Sequence, residues 1–176
     1  MRVNVSELLK EPVGSLRRYQ IDEAVEIVEG NGNCPVRGEV ELMHTDRSIL
    51  VKGTLKTEPA IICSRCLVSF TCPLILHLED EYFPTLDVTT GAALPVPDEP
   101  NSFTIDAQHI LDADEAIRQS AVIATPMKPL CSDNCAGLCP TCGCNLNLKQ
   151  CNCPSQSMDP RWLKLTELVN GQKGTE

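Results

Sequence analysis

From Val36 to Phe83, apolar and polar residues alternate along the chain. Val36, Val40 and Leu42 fall on one face of an extended segment, and Arg37, Glu39 and Glu41 on the other, the period-2 signature of a half-buried strand. Thr45-Asp46-Arg47 reads as a turn, after which Ile49 to Leu55 runs back. Pro59 to Cys63 is a third β segment, and Cys63-Ser64-Arg65-Cys66 makes the next turn. Leu67 to Leu78 returns, with Leu74, Leu76 and Leu78 alternating with Ile75, His77 and Glu79. Connections this short join antiparallel neighbours. The pattern therefore predicts an α+β protein built on an antiparallel β meander or partly open barrel, with a few helices. His77 is a metal ligand by type, but a lone strand histidine reads first as a surface or half-buried residue.

Outside this region the pattern changes. Val5 to Lys10 predicts a short helix with Asn4 as its cap and Glu7 three residues on, ended by Pro12 and Gly14. Ser15 to Ile21 predicts a strand. Arg17 and Arg18, adjacent on it, face opposite sides, which favours separate surface roles over a joint contact with nucleic acid. Residues 84–101 hold four prolines and no period, so they predict a loop or linker. Phe103 to Ile105 can add an edge strand. Asp112-Ala113-Asp114-Glu115 opens a helix over about residues 113–125, with Ile117, Ala121 and Ala124 on its apolar face and Pro126 as its stop. Asp159-Pro160 starts a last helix whose apolar stripe is Trp162, Leu165, Leu168 and Val169. The chain's one Trp is read as pinning that helix to the body. These elements divide the chain into a β domain, 1–130, and a metal-binding segment with the C-terminal helix, 131–176, packed on the same domain.

The stretch that no hydrophobic pattern explains is Cys131 to Cys153, which holds seven of the chain's 11 cysteines in 23 residues. It has almost no large apolar side chains, so a metal is the natural agent to hold it. Cys139-Pro140-Thr141-Cys142-Gly143 has the zinc-knuckle form. Two sulfurs turn onto one ion, Pro pre-sets a backbone angle, and the Gly accepts a positive φ. With Cys151 and Cys153 it supplies four thiolates for a closed tetrahedral site. Cys131 and Cys135, with Cys63 and Cys66, supply four more, so two zinc ions per chain are expected. Taken alone, Cys63/Cys66 suits a redox dithiol or a pair of core thiols as well as a metal. The odd cysteine number and the lack of an apolar leader in MRVNVSELLKEP disfavour disulfides and favour a reducing, cytoplasmic setting. Zinc suits the knuckle better than an iron–sulfur cluster, though sequence alone leaves both open.

Charge adds a second picture. The net charge is −9, and residues 66–117 carry ten Asp/Glu and no Lys or Arg. Such a block repels phosphate backbones and attracts basic surfaces, while an isolated acidic loop without a partner is the commoner outcome. No run approaches the ~18 apolar residues of a membrane span. No nucleophile–base pairing and no phosphate loop is visible, and no small-molecule substrate is expected.

The chain resembles the YceD family, the large ribosomal RNA subunit accumulation proteins. The resemblance rests on Val-x-Gly-x-Val-like strands, Cys63-Ser64-Arg65-Cys66-Leu67, and Pro126-Met127-Lys128-Pro129-Leu130-Cys131. It continues through Gly137-Leu138-Cys139-Pro140-x-Cys142-Gly143-x-Asn145-Leu146-Asn147, Cys151-x-Cys153 and Asp159-Pro160-Arg161-Trp162. It implies a non-enzymatic role in large-subunit ribosomal RNA accumulation and hence in large-subunit assembly. Family members that lack the Cys139, Cys142, Cys151 and Cys153 equivalents keep the other pairs, which implies two separable sites. Cys34, Cys72 and Cys144 stand outside the family pattern. Cys144 leaves the choice of ligands open and is read as a bystander.

The expected partners are a basic large-subunit ribosomal protein and/or the large-subunit RNA precursor, with Arg65, Lys128, Lys149, Arg161 and Lys164 as candidate phosphate contacts. Two other classes fit the pattern less well. A thiol–disulfide oxidoreductase using Cys63/Cys66 would want that pair at a helix start in a βαβ setting. A zinc-ribbon nucleic-acid module would want a basic stripe that this chain lacks.

Overall fold

The computed structural model describes residues 1–27, 32–97 and 102–153. The chain divides into two compact units: Met1–Cys63 with Val68–Cys131, and Ser64–Leu67 with Ser132–Glu176.

The alternating region of the first unit forms four long or medium strands: β2 (Leu16–Glu26), β3 (Asn33–His44), β4 (Ile49–Thr57) and β7 (Leu74–Pro84). They pair antiparallel in the order β2-β3-β4-β7, with Val40 opposite Gly53 and Gly53 opposite Leu78. β8 (Phe103–Ile105) extends the sheet but runs parallel to β7. A parallel neighbour needs a long return connection, and residues 85–102 provide one. The sheet curls into a half-barrel. Val36, Val40, Leu42, Val51, Leu55, Leu76, Leu78 and Tyr82 all point into one buried face. The Tyr82 and Phe103 rings, register partners across β7 and β8, stack at 5.1 Å.

The solvent face of the sheet is an ion lattice. Arg18 bonds Glu41 at 2.9 Å, Lys52 bonds Glu79 at 2.7 Å and Arg37 bonds Asp22 at 2.9 Å. Exposed pairs of this kind contribute little stability, roughly 0–1 kcal/mol each, but they fix which face is wet. Arg17, on the opposite side of β2 from Arg18, is held by Glu7 and Glu11.

The short elements depart from the sequence reading. Val5–Lys10 is not a helix; only a 3₁₀ turn, Leu8–Lys10, forms. Asn4 ends a three-residue strand, β1 (Arg2–Asn4), and its Oδ1 accepts the Ser6 N–H at 3.0 Å, closing a turn instead of capping a helix. Glu7 reaches across to Arg17 rather than back to the cap. β1 pairs with β9 (Ile110–Asp112), which the pattern also missed. The return from Leu67 is broken at Cys72-Pro73 into β6 (Ser69–Thr71), which pairs with β5 (Ala60–Ile62), and β7. Proline cannot donate to a ladder, so the strand restarts after it.

The predicted helix is α1 (Asp114–Ala124), packed along β7 with Ile117 and Ala121 buried. The Ser120 hydroxyl donates to the His77 carbonyl at 3.3 Å. Asp112 Oδ1 accepts the Asp114 N–H at 3.0 Å, so Asp112 supplies an oxygen to the first helical N–H from two residues before the helix start. The expected C-terminal helix, with Trp162, lies outside the described residues. Among the described residues no helix is long and apolar enough to cross a membrane.

The acidic block is largely committed to the fold. Asp87 Oδ1 accepts the Thr89 and Thr90 N–H groups and the Thr90 hydroxyl, pinning its own loop. Those bonds, the Thr90 N–H first, hold its carboxyl below the usual range. Asp106 does the same for Gln108 and Ile110, and Asp112 pairs with Arg2 at 2.7 Å. Asp114 takes the terminal ammonium of Met1, and Glu115 takes Arg118 at 2.6 Å.

β3 and β4 approach closely at two glycines. A methyl group at Gly38 would lie 2.2 Å from the Thr54 carbonyl oxygen, and one at Gly53 would lie 2.7 Å from that of Glu39. We expect Gly38→Ala to force these strands apart and cost about 2–3 kcal/mol. Urea unfolding followed by far-ultraviolet circular dichroism, with reductant present, checks this through a lower midpoint at unchanged slope.

Candidate metal centres

Among the described residues of the second unit the chain winds around its cysteines with little apolar material. The Gly143 N–H donates to the Cys139 carbonyl at 2.9 Å, closing the Cys139-Pro140-Thr141-Cys142 turn, and the Thr141 N–H points at the Cys139 sulfur at 3.4 Å. The Cys139 N–H returns to the Cys144 carbonyl at 2.8 Å, and the Leu146 N–H to that of Gly137 at 2.9 Å, so the turn sits at the tip of a small hairpin. Gly143 has φ +72°, as the knuckle form requires. The other turn repeats the device. Leu67 follows Cys66 with φ +58°, an uncommon conformation for a residue with a side chain. The Cys63 N–H bonds the Val68 carbonyl at 3.0 Å.

Two groups of four cysteines come together. The sulfurs of Cys139, Cys142, Cys151 and Cys153 all lie within 4.8 Å of one another, and so do those of Cys63, Cys66, Cys131 and Cys135. An ion with tetrahedral bonds of about 2.3 Å to sulfur holds its ligands roughly 3.8 Å apart, so both groups fit such an ion with small adjustments. Both can hold a metal. An all-thiol donor set selects soft or borderline metals over magnesium or calcium. Cys63, Cys66 and Cys135 are buried, and Cys131 is the most accessible of its four.

The electrostatics of the first-described group favour thiolates at Cys139 and Cys142. The backbone N–H groups of Cys142 and Thr141, then the Cys151 thiol, bring the Cys139 thiol down to about 6. The Cys144 N–H lowers Cys142 in the same way. Cys153, which donates its proton to these ionised neighbours, is pushed up to about 12. Four like charges at this spacing repel, and a divalent cation at their centre removes that repulsion.

The remaining cysteines and basic residues are placed as follows. Cys34 is buried in the sheet core and Cys72 is half-buried against it. Cys144 lies beside Cys142 and Cys151, sharing hydrogen bonds with their sulfurs, but is not one of the four. Arg65 donates from Nη1 to the Cys135 carbonyl at 2.9 Å, a structural use of a side chain expected on phosphate. Lys128 and Lys149 are exposed. Arg161 and Lys164 lie outside the described residues. His77 is exposed on its strand, with Thr54 Oγ1 3.5 Å from its Nδ1, away from both groups. The sequence gives Asn147 only as part of a motif and no role; its amide touches Cys135 Sγ at 3.4 Å. The one signal was an Asn-x-Asn inside the cysteine stretch.

Fold and site together define a β-sheet protein carrying two four-cysteine groups of metal-binding form. A family model, "Large ribosomal RNA subunit accumulation protein YceD", matches residues 51–169. The chain belongs to the YceD family. It is also similar to an uncharacterized protein of Mycobacterium leprae, 26% identical over 92% of this chain and 70% of that protein. Uncharacterized proteins of Mycobacterium bovis and Mycobacterium tuberculosis are 26% identical over 78% of this chain. The matched part spans 63% of their length. No solved structure matches the chain at a significant level.

Two predictions follow from the knuckle geometry. Gly143 has open space around it, so Gly143→Ala is charged only the left-handed backbone cost of about 1 kcal/mol or more. Metal retention at the Cys139 group should fall about five-fold or more in competition with a chromogenic chelator. Metal uptake at pH 7.5 should release fewer than four protons from this group, because Cys139 is already ionised there. Release should rise as pH falls through 6, where Cys139 regains its proton, and calorimetry in buffers of different ionisation enthalpy measures it.

Proposed function

We propose that this protein is a non-enzymatic factor of large ribosomal subunit biogenesis, needed for accumulation of the large-subunit ribosomal RNA, with zinc in both cysteine groups. The observation that carries the reading is the family match over residues 51–169, and that membership fits a ribosome-associated role. Zinc is favoured because four thiolates in a closed tetrahedron, braced by backbone N–H groups, make a structural site with no open position for chemistry.

The proposed partner is a basic large-subunit ribosomal protein, the precursor RNA, or both. Of the candidate phosphate contacts among the described residues, Lys128 and Lys149 are exposed. The acidic block supports a basic partner less than its charge suggests, since Asp87, Asp106, Asp112, Asp114 and Glu115 already have partners within the chain.

The oxidoreductase reading is disfavoured by two observations. Cys63 and Cys66 lie in the turn between β5 and β6, not at a helix N-terminus, and their sulfurs sit with two further cysteines.

Protein purified under reducing conditions should contain two zinc ions per chain by plasma mass spectrometry. Depletion in cells should lower large-subunit RNA relative to small-subunit RNA and accumulate large-subunit precursors on sucrose gradients. Unchanged large-subunit RNA after depletion would sink the functional reading, and a redox-active, metal-free Cys63/Cys66 pair would return the oxidoreductase.

A further inference from the structure

Asn147 sits in the loop that runs from Cys142 to Cys151, and therefore belongs to the chain segment that closes the Cys139 group. Its own position is set by Asn145, whose Oδ1 accepts both the Asn147 N–H at 2.9 Å and its amide N–H at 2.8 Å. Asn145 is in turn bridged to Leu138, one residue before Cys139. Yet the Asn147 side chain serves the other group. Its Oδ1 accepts the Ala136 N–H at 2.7 Å, and its Nδ2 donates to Cys135 Sγ at 3.4 Å. The amide orientation follows from its neighbours. A backbone N–H can only donate, so the atom facing Ala136 is the oxygen, and the NH₂ group is left facing the sulfur and the Asn145 oxygen.

We propose that Asn147 is a positioning residue that couples the two cysteine groups, so that a metal at the Cys139 group strengthens metal binding at the Cys63 group. This rests on the reading of both groups as metal sites. Cys135 is a ligand of the Cys63 group, and as a thiolate it gains from an N–H donor that spreads its charge and fixes its direction. Partners of this outer kind commonly change metal affinity by about 10–100-fold. Asn147 is exposed, where water competes for the bond, which places the effect near ten-fold. A metal at the Cys139 group holds the 142–151 loop closed, keeps Asn145 and Asn147 in place, and so presents the donor to Cys135 ready-made. With the loop open, that donor must be ordered when the Cys63 group binds. The coupling is reciprocal by linkage.

The test uses the full chain and cobalt(II) as probe, because thiolate-to-cobalt charge-transfer bands report each site directly. The variants are Asn147→Asp, Asn147→Ala and Cys142→Ser, singly and combined. Asn147→Asp keeps an acceptor for the Ala136 N–H but turns a carboxylate oxygen toward the Cys135 sulfur. It should weaken cobalt at the Cys63 group by about ten-fold or more and shift its charge-transfer band, leaving the Cys139 group, titrated with the Cys63 group emptied by Cys63→Ser, within two-fold. Asn147→Ala should weaken the same site. Cys142→Ser, which opens the Cys139 group, should weaken the Cys63 group by a similar factor, with Asn147→Ala adding little further in that background. If wild-type protein takes two cobalt ions and both Asn147 variants leave the Cys63 group within two-fold, the coupling is wrong and the metal reading stands. Equal weakening of both groups, with the Cys139 group again measured in the Cys63→Ser background, would mean general loosening of the segment and would also overturn it. If wild-type protein takes no metal at either group, the metal reading fails and the coupling fails with it.

Discussion

A thiolate in a folded protein needs something positive beside it, and the Ser132 end of the chain is arranged to meet that need. The turn at Cys139 aims two backbone N–H groups at one sulfur, and the Cys144 N–H serves Cys142. Among the described residues little else could organise this segment. Leu148 lies open to solvent and Leu138 and Leu146 are only half-buried, so apolar burial is slight. Units this small and this poor in core usually depend on metals or cross-links. The first unit is the reverse case. Its sheet buries a continuous aliphatic face, and Cys34 in the sheet and Cys72 against it behave as small hydrophobes.

The two kinds of order meet in the sequence at the Cys63–Cys66 turn. The hairpin β5–β6 would close with many turn sequences. The chain instead uses one that places two sulfurs on the same side and tolerates Leu67 in a left-handed conformation directly after the second. Gly143 occupies the matching position after Cys142. The same backbone solution thus appears twice, once with the residue that suits it and once with a residue that does not.

The long strands were legible because one face is buried and the other wet, so a period of two runs through Val36–Leu42 and Leu74–Leu78. The cysteine groups were legible because ligand spacing is local. What escaped was non-local or too short to show a period. β1 and β9 have three residues each and exist through pairing with one another. β8 was anticipated, but its parallel direction depends on a loop path that composition does not encode. The acidic block read as a surface because sequence does not distinguish a solvated carboxylate from one that caps its own turn, as Asp87 and Asp106 do. Asn147 escaped because an amide acquires a role near sulfur only once two loops close on each other.

The Cys63 group has a history as well as a geometry. Its first two cysteines leave the ribosome's peptidyl centre about 65 residues ahead of the last two, which at roughly 5–20 residues per second is a wait on the order of 3–13 s. During that interval β7, β8, β9 and α1 are being made, and two unshielded thiols stand ready for oxidants, stray ions or each other. The order of synthesis therefore separates the two halves of this group in time as well as in sequence, so the group can be completed only after the sheet and α1 have been made.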